Sequence, residues 1–158
     1  MTKFGLKIAQ LFGEKLPRFS SQEEAERALL AFRDAKLHKI HKLASTLPDF
    51  ALDCLPESLK AMERVYFRLH ESNSFEEIKS TREEFEECMA MYFGEVFVRN
   101  IPNSKWVVKE FPFEKGKYEI GVQKGLSTVM LRRFTDHFKT PNNKRQESIW
   151  RRFKQYCT

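Results

Sequence analysis

Apolar residues recur at helical spacing through the first two thirds of the chain and change to a two-residue period at Lys105. Phe4, Ile8, Leu11 and Phe12 are spaced for a short N-terminal helix that ends near Gly13 or before Pro17. Ser21-Gln22-Glu23-Glu24 reads as a capping box, with Ser21 as cap and Glu24 reaching back to its amide. Leu29, Phe32, Ile40, Leu43 and Leu47 follow as an apolar stripe, and Pro48 marks its end. Pro56 suits the first turn of a third helix, with Leu59, Met62, Val65, Tyr66 and Leu69 on one side and Ser72-Asn73 as its stop.

Ser74 and Glu77 form a second capping box, predicted to open a central helix. Its apolar positions Ile78, Phe85, Met89, Tyr92 and Val96 are widened by Phe93 and Phe97, which predicts burial on more than one side. Gly94 costs such a helix about 1 kcal/mol relative to alanine. Its presence predicts the close approach of another backbone, or a kink. Lys105 to Lys109 and Tyr118 to Val122 then read as an antiparallel hairpin whose loop contains Gly116. From Leu126 onward two readings stand. Ser127 to Leu131 suits a third strand, whereas Leu126, Met130, Phe134 and Phe138 would share one helical face; the helix is preferred. After a loop at Thr140-Pro141-Asn142-Asn143, Ile149, Trp150, Phe153 and Tyr156 stripe a closing helix whose other face is basic.

The pattern predicts a single α+β domain, mostly helical, with a small antiparallel hairpin or sheet packed against the central helix. Residues 1–72 form a helical first half, 74–138 the central helix, hairpin and following helix, and 142–157 the basic C-terminal helix.

Composition adds compartment and charge. The chain has 158 residues, of which 41% are hydrophobic and 32% charged, a globular and not a disordered balance. No run reaches the roughly 20 apolar residues of a membrane span. Three cysteines, Cys54, Cys88 and Cys157, are odd in number and widely spaced, which suits free thiols in a reducing cytoplasm. Formal net charge is +6. Lys124 to Thr158 holds nine Lys/Arg against two acidic residues, and Glu71 to Glu95 holds eight glutamates against two cations. These runs predict a charge dipole unless folding joins them.

Tyr92-Phe93-Gly94-Glu95, followed by Trp106-Val107-Val108, resembles a group of small bacterial domains of unknown function in which a helix-borne Gly-Glu precedes a Trp-Val strand. The resemblance covers Phe85 to Phe138. It implies a bacterial origin, an α+β fold and, from the neighbourhood of some members, a toxin, immunity or mobile-element setting. It implies no catalytic or ligand-binding residue.

The candidate chemistry is sparse. His38 and His41 share a helix but lack a third metal ligand. A cysteine nucleophile would need His70 or His137 as base, and Cys88 falls on an apolar stripe where cysteine acts as a small hydrophobe. Glu83, Glu84, Glu86 and Glu87 read as a solvated face. Glu95 is read as a structural partner of Arg99 or Arg132, with an unfamiliar active site involving Tyr92 and Trp106 as the alternative. No phosphate-binding or hydrolase motif occurs. The expectation is therefore a non-catalytic protein, without metal or cofactor and without a membrane partner. It would bind another protein through a basic face (Arg132, Arg133, Arg145, Arg151, Arg152) and an acidic face (Glu83, Glu84, Glu87). A nucleic-acid binder using the same basic face is the alternative.

Overall fold

The computed structural model describes residues 3–131 and 147–157. In chain order the elements are α1 (Lys3–Glu14), α2 (Gln22–Thr46), α3 (Ser58–Ser72), a 3-10 turn (Phe75–Ile78), α4 (Arg82–Asn100), β1 (Ser104–Glu110), β2 (Tyr118–Lys124), β3 (Ser127–Met130) and α5 (Ser148–Lys154). The strands form one antiparallel sheet in the order β1-β2-β3. This is the expected α+β architecture.

Helix α4 is the centre. Its buried residues run consecutively from Cys88 to Gly94, so no side of that stretch faces water. The sheet and α2 pack on one side of it, and α3 and α5 on another. On the sheet side, Trp106, Val108, Ile120 and Val122 share a face, set by the pairings Trp106 with Val122 and Val108 with Ile120. On the other side an aromatic cluster joins Tyr66, Phe75 and Phe85, while Phe93 and Phe97 meet Phe153 and Tyr156 from the C-terminal segment.

Gly94 explains how the sheet seats. A Cβ there would lie 2.4 Å from the Trp106 ring and 2.6 Å from a Leu131 methyl group. The close approach is therefore made by side chains and not, as expected, by another backbone. On its exposed side Trp106 is covered by the Arg33 guanidinium, 5.0 Å from the ring centroid. The outer edge of β1 is guarded too: Gln22 Nε2 donates to the Val108 carbonyl at 2.7 Å.

Three local expectations change. Ser74 makes no capping hydrogen bond and opens only the 3-10 turn; Thr81 is the cap of α4, accepting from the Glu84 amide at 3.1 Å. The turn ends in left-handed Lys79, which redirects the chain before α4 starts. Ser21 does cap α2, but Glu24 accepts from the Ser20 amide at 3.3 Å, not from that of Ser21. Finally, residues 127–130 are a strand. Val129 pairs with Val122 and is buried, whereas Leu126, which the helical reading places on an apolar face, lies fully exposed in the turn before it. The rest of that reading, Phe134 and Phe138, lies outside the described residues, as does the loop at residues 140–143.

Gly94→Ala tests the seating. Overpacking against Trp106 costs about 1–3 kcal/mol, which exceeds the roughly 1 kcal/mol gained in helix propensity. The urea midpoint is expected to fall. Adding Trp106→Leu should make the double variant more stable than the sum of the single effects, as read from a double-mutant cycle.

Candidate functional site

Three polar constellations surround α4, and the first holds the α2–α3 connection. Cys54 has φ of +64°, a conformation costly for a residue with a side chain. Both of its peptide groups are held from α4: its amide donates to Tyr92 Oη at 2.9 Å, and its carbonyl accepts from Asn100 Nδ2 at 2.8 Å. The Ser58 hydroxyl donates to the Leu55 carbonyl at 2.6 Å, so the Tyr92 hydroxyl must donate to Ser58 Oγ, 2.6 Å away. The relay from Cys54 through Tyr92 and Ser58 to Leu55 is thus closed. Burial pushes the Tyr92 hydroxyl up to about 12 and raises the Cys54 thiol.

The second constellation is the acidic start of α4. Glu84 accepts from Lys39 and from Ser80 at 3.1 Å, and Lys36 lies 3.6 Å away; the Lys39 hydrogen bond holds its carboxyl below the usual range. Glu86 is buried and accepts from the Tyr66 hydroxyl at 2.7 Å. Glu83 is exposed beside Arg82, and Glu87 is half-buried. The four glutamates are therefore not one solvated face. The cations that meet Glu84 come from α2 and not from the basic C-terminus.

The third is a basic ridge built by α3 and α5. Lys60, Arg64 and Arg68 follow one another at four-residue spacing, so they form a row along α3. Glu63, one position away and buried, accepts the Ser148 hydroxyl at 2.7 Å and backbone N–H groups of Glu147 and Ser148. It thereby fixes the start of α5 beside that row. Desolvation raises its carboxyl above the ordinary value despite these donors and the nearby Arg151. Trp150 lies under the Lys60 ammonium, 4.2 Å from the ring centroid, with the Lys154 ammonium at 5.7 Å. Arg64, Arg68, Arg151 and Lys154 are exposed; Arg152 is half-buried.

Of the predicted basic face, Arg151 and Arg152 stand on α5, and Arg132, Arg133 and Arg145 lie outside the described residues. Lys60, Arg64 and Arg68 were not anticipated, although their spacing in the sequence is the signal that reveals them. Glu95 pairs with Arg99 at 2.6 Å. The Tyr92 hydroxyl turns to Cys54 and Ser58, and Trp106 packs at Gly94. Cys88 is fully buried with its thiol pushed up by desolvation to about 11. His38 and His41 are exposed, with His41 edge-on to the Tyr92 ring. Among the described residues no three metal-ligating side chains converge.

An α4-centred α+β domain with these features has relatives. The family described as "Uncharacterised protein YwmA" matches residues 18–157, and the chain belongs to that family. The uncharacterised protein YwmA of Bacillus subtilis (strain 168) is 26% identical over 113 residues, covering 72% of this chain and 71% of that protein. No solved structure matches.

Two measurements check the geometry. In the native protein only Cys157 is expected to react promptly with a thiol reagent, since Cys54 and Cys88 are buried. Cys88, at about 11, should react on the order of a hundredfold more slowly than an ordinary thiol even before access is counted. For Glu63, a folded value raised above the unfolded one gives stability that is full below the unfolded value and lost as pH rises through the folded one. Glu63→Gln should flatten that fall in a pH series of urea melts. Glu63→Ala should destabilise by about 1–3 kcal/mol because it orphans the α5 donors.

Proposed function

We propose that the chain is a non-catalytic binding protein whose basic ridge along α3 and α5 receives an acidic protein partner. The observation that carries this reading is the exposure of Arg64, Arg68, Arg151 and Lys154 on two helices locked together by Glu63. Cationic side chains on rigid elements lose little freedom on pairing with carboxylates, and arginine suits bidentate contacts. The groups that resemble catalytic ones are engaged elsewhere: Tyr92 in the Cys54 relay, Glu86 by Tyr66 and Glu95 by Arg99. The immunity or mobile-element setting implied by the resemblance is the context in which we would seek the partner.

Nucleic acid is the second reading, favoured by the same cations. It is weakened by the aromatic residues, since Phe153 and Tyr156 pack on Phe93 and Phe97 and are not available to stack on bases.

Capture from a lysate of the native host, with and without nuclease, separates the two. A stoichiometric acidic protein that survives nuclease, and is lost on Arg64→Glu/Arg68→Glu, is the expected result. The double reversal should weaken that complex on the order of a hundredfold, since close charge pairs at interfaces couple strongly. Nucleic acid retained with a log-linear salt slope of roughly −0.9 per phosphate would replace this reading with the second.

A further inference from the structure

We propose that α1 and the β1–β2 loop form a docking surface for an anionic lipid bilayer, on which the chain lies without crossing it. Helix α1 stands outside the residues shared with the family, which begin at residue 18. Its last turn packs on the body. Phe12 packs edge-on against Phe111, with ring centroids 5.9 Å apart, and a Cβ at Gly13 would lie 2.7 Å from the same Phe111 ring. Phe111 in turn packs on Phe113 at 5.6 Å.

This aromatic row ends in the open. Phe113 is 42% exposed, Leu11 beside Phe12 is 50% exposed, and Leu6 on the other flank of the helix is 40% exposed. Among the described residues they are three of only five exposed large hydrophobic side chains; the others, Leu55 and Leu126, lie in separate loops. Exposed large apolar side chains on one helix and the loop beside it mark an interaction site more strongly than the same residues scattered singly.

The charge around this corner selects the partner. Lys3, Lys7, Lys15 and Lys115 are exposed around it. Glu114 is already bound by Arg18 at 2.9 Å, which leaves Glu14 as the acidic residue of α1. Lys7 falls on the helix surface between Leu6 and Leu11, where its stem can lie along apolar surface while the ammonium reaches a headgroup phosphate. Lysines flanked by exposed leucines on the outward face of a short helix combine apolar contact with attraction to anionic headgroups, which suits an anionic membrane surface.

A second copy of the chain fits less well. A helix of 12 residues is about 18 Å long and offers a contact strip of only a few hundred Å² at most, against about 800 Å² per partner in a stable interface. No helix among the described residues is long and apolar enough to cross a membrane. That leaves a surface-lying mode.

The test is co-sedimentation of the full chain with phosphatidylcholine vesicles, with and without phosphatidylglycerol, over a salt series. Binding is expected only with phosphatidylglycerol, and it should weaken as salt rises. Leu11→Ser/Phe113→Ser should reduce it on the order of tenfold or more, while Leu126→Ser, at a more exposed but remote position, leaves it unchanged. Circular dichroism and thermal melts should show all variants folded, because none of the substituted side chains belongs to the buried core. The ridge variant Arg64→Glu/Arg68→Glu should still bind. No binding would overturn the proposal, as would binding indifferent to Leu11 and Phe113 or lost only in the ridge variant. Lipid-free self-association abolished by Leu11→Ser/Phe113→Ser would overturn it in favour of a dimer.

Discussion

The contact between Gly94 and Trp106 is the constraint on which the rest of the structure depends. Helix α4 is apolar on every side through its middle, and such a helix is stable only when other elements wrap it completely. One side is taken by a sheet, whose inner face includes a tryptophan too large to lie over any residue with a side chain. Glycine at position 94 removes the obstacle, and its cost in helix propensity is offset by the buried area of the ring. With the sheet seated, α2 covers its edge through Gln22 and Arg33, and α3 and α5 close the opposite side.

Wrapping a helix on all sides also encloses its polar residues, and each must then find a partner. Tyr92 and Asn100, two turns apart, hold the two peptide groups of a left-handed cysteine, and Glu86 takes the Tyr66 hydroxyl; on α3, buried Glu63 likewise takes the start of α5. These bonds place the connections between helices in single positions. They also occupy side chains that, taken alone, resemble acids, bases and nucleophiles. The buried tyrosines and glutamates named here bond to backbone and hydroxyl groups of neighbouring segments.

Charge follows the same geometry. Along the chain the acidic residues cluster before Glu95 and the basic ones after Lys124. In space the lysines of α2 meet Glu84, and the exposed cations of α5, joined to α3 by the Glu63–Ser148 bond, lie more than eighty positions along the chain from those of α3. A linear dipole thus becomes a neutralised acidic helix start and a two-helix basic ridge.

Helix stripes, the two stop signals at Asn73 and Pro48, the hairpin and the burial of α4 on more than one side were legible in the residues, because each depends on local spacing and on propensity. The start of α4 was not. Ser74-x-x-Glu77 and Thr81-x-x-Glu84 both satisfy the capping pattern, and only the left-handed turn at Lys79 selects the second. Residues 127–130 were ambiguous for a related reason: so short a segment, with only Val129 and Met130 apolar, fits either period, and pairing with β2 is a long-range interaction that local pattern does not contain. The ridge was half legible, since Lys60, Arg64 and Arg68 share a helix face by spacing alone. Their position beside Arg151 and Lys154 depends on one buried carboxylate capping a helix far along the chain. Local periodicity therefore determined the main helices, the hairpin and the faces they bury, whereas tertiary packing decided the third strand and which charges and aromatic rings meet, because those meetings join segments that no short-range rule connects.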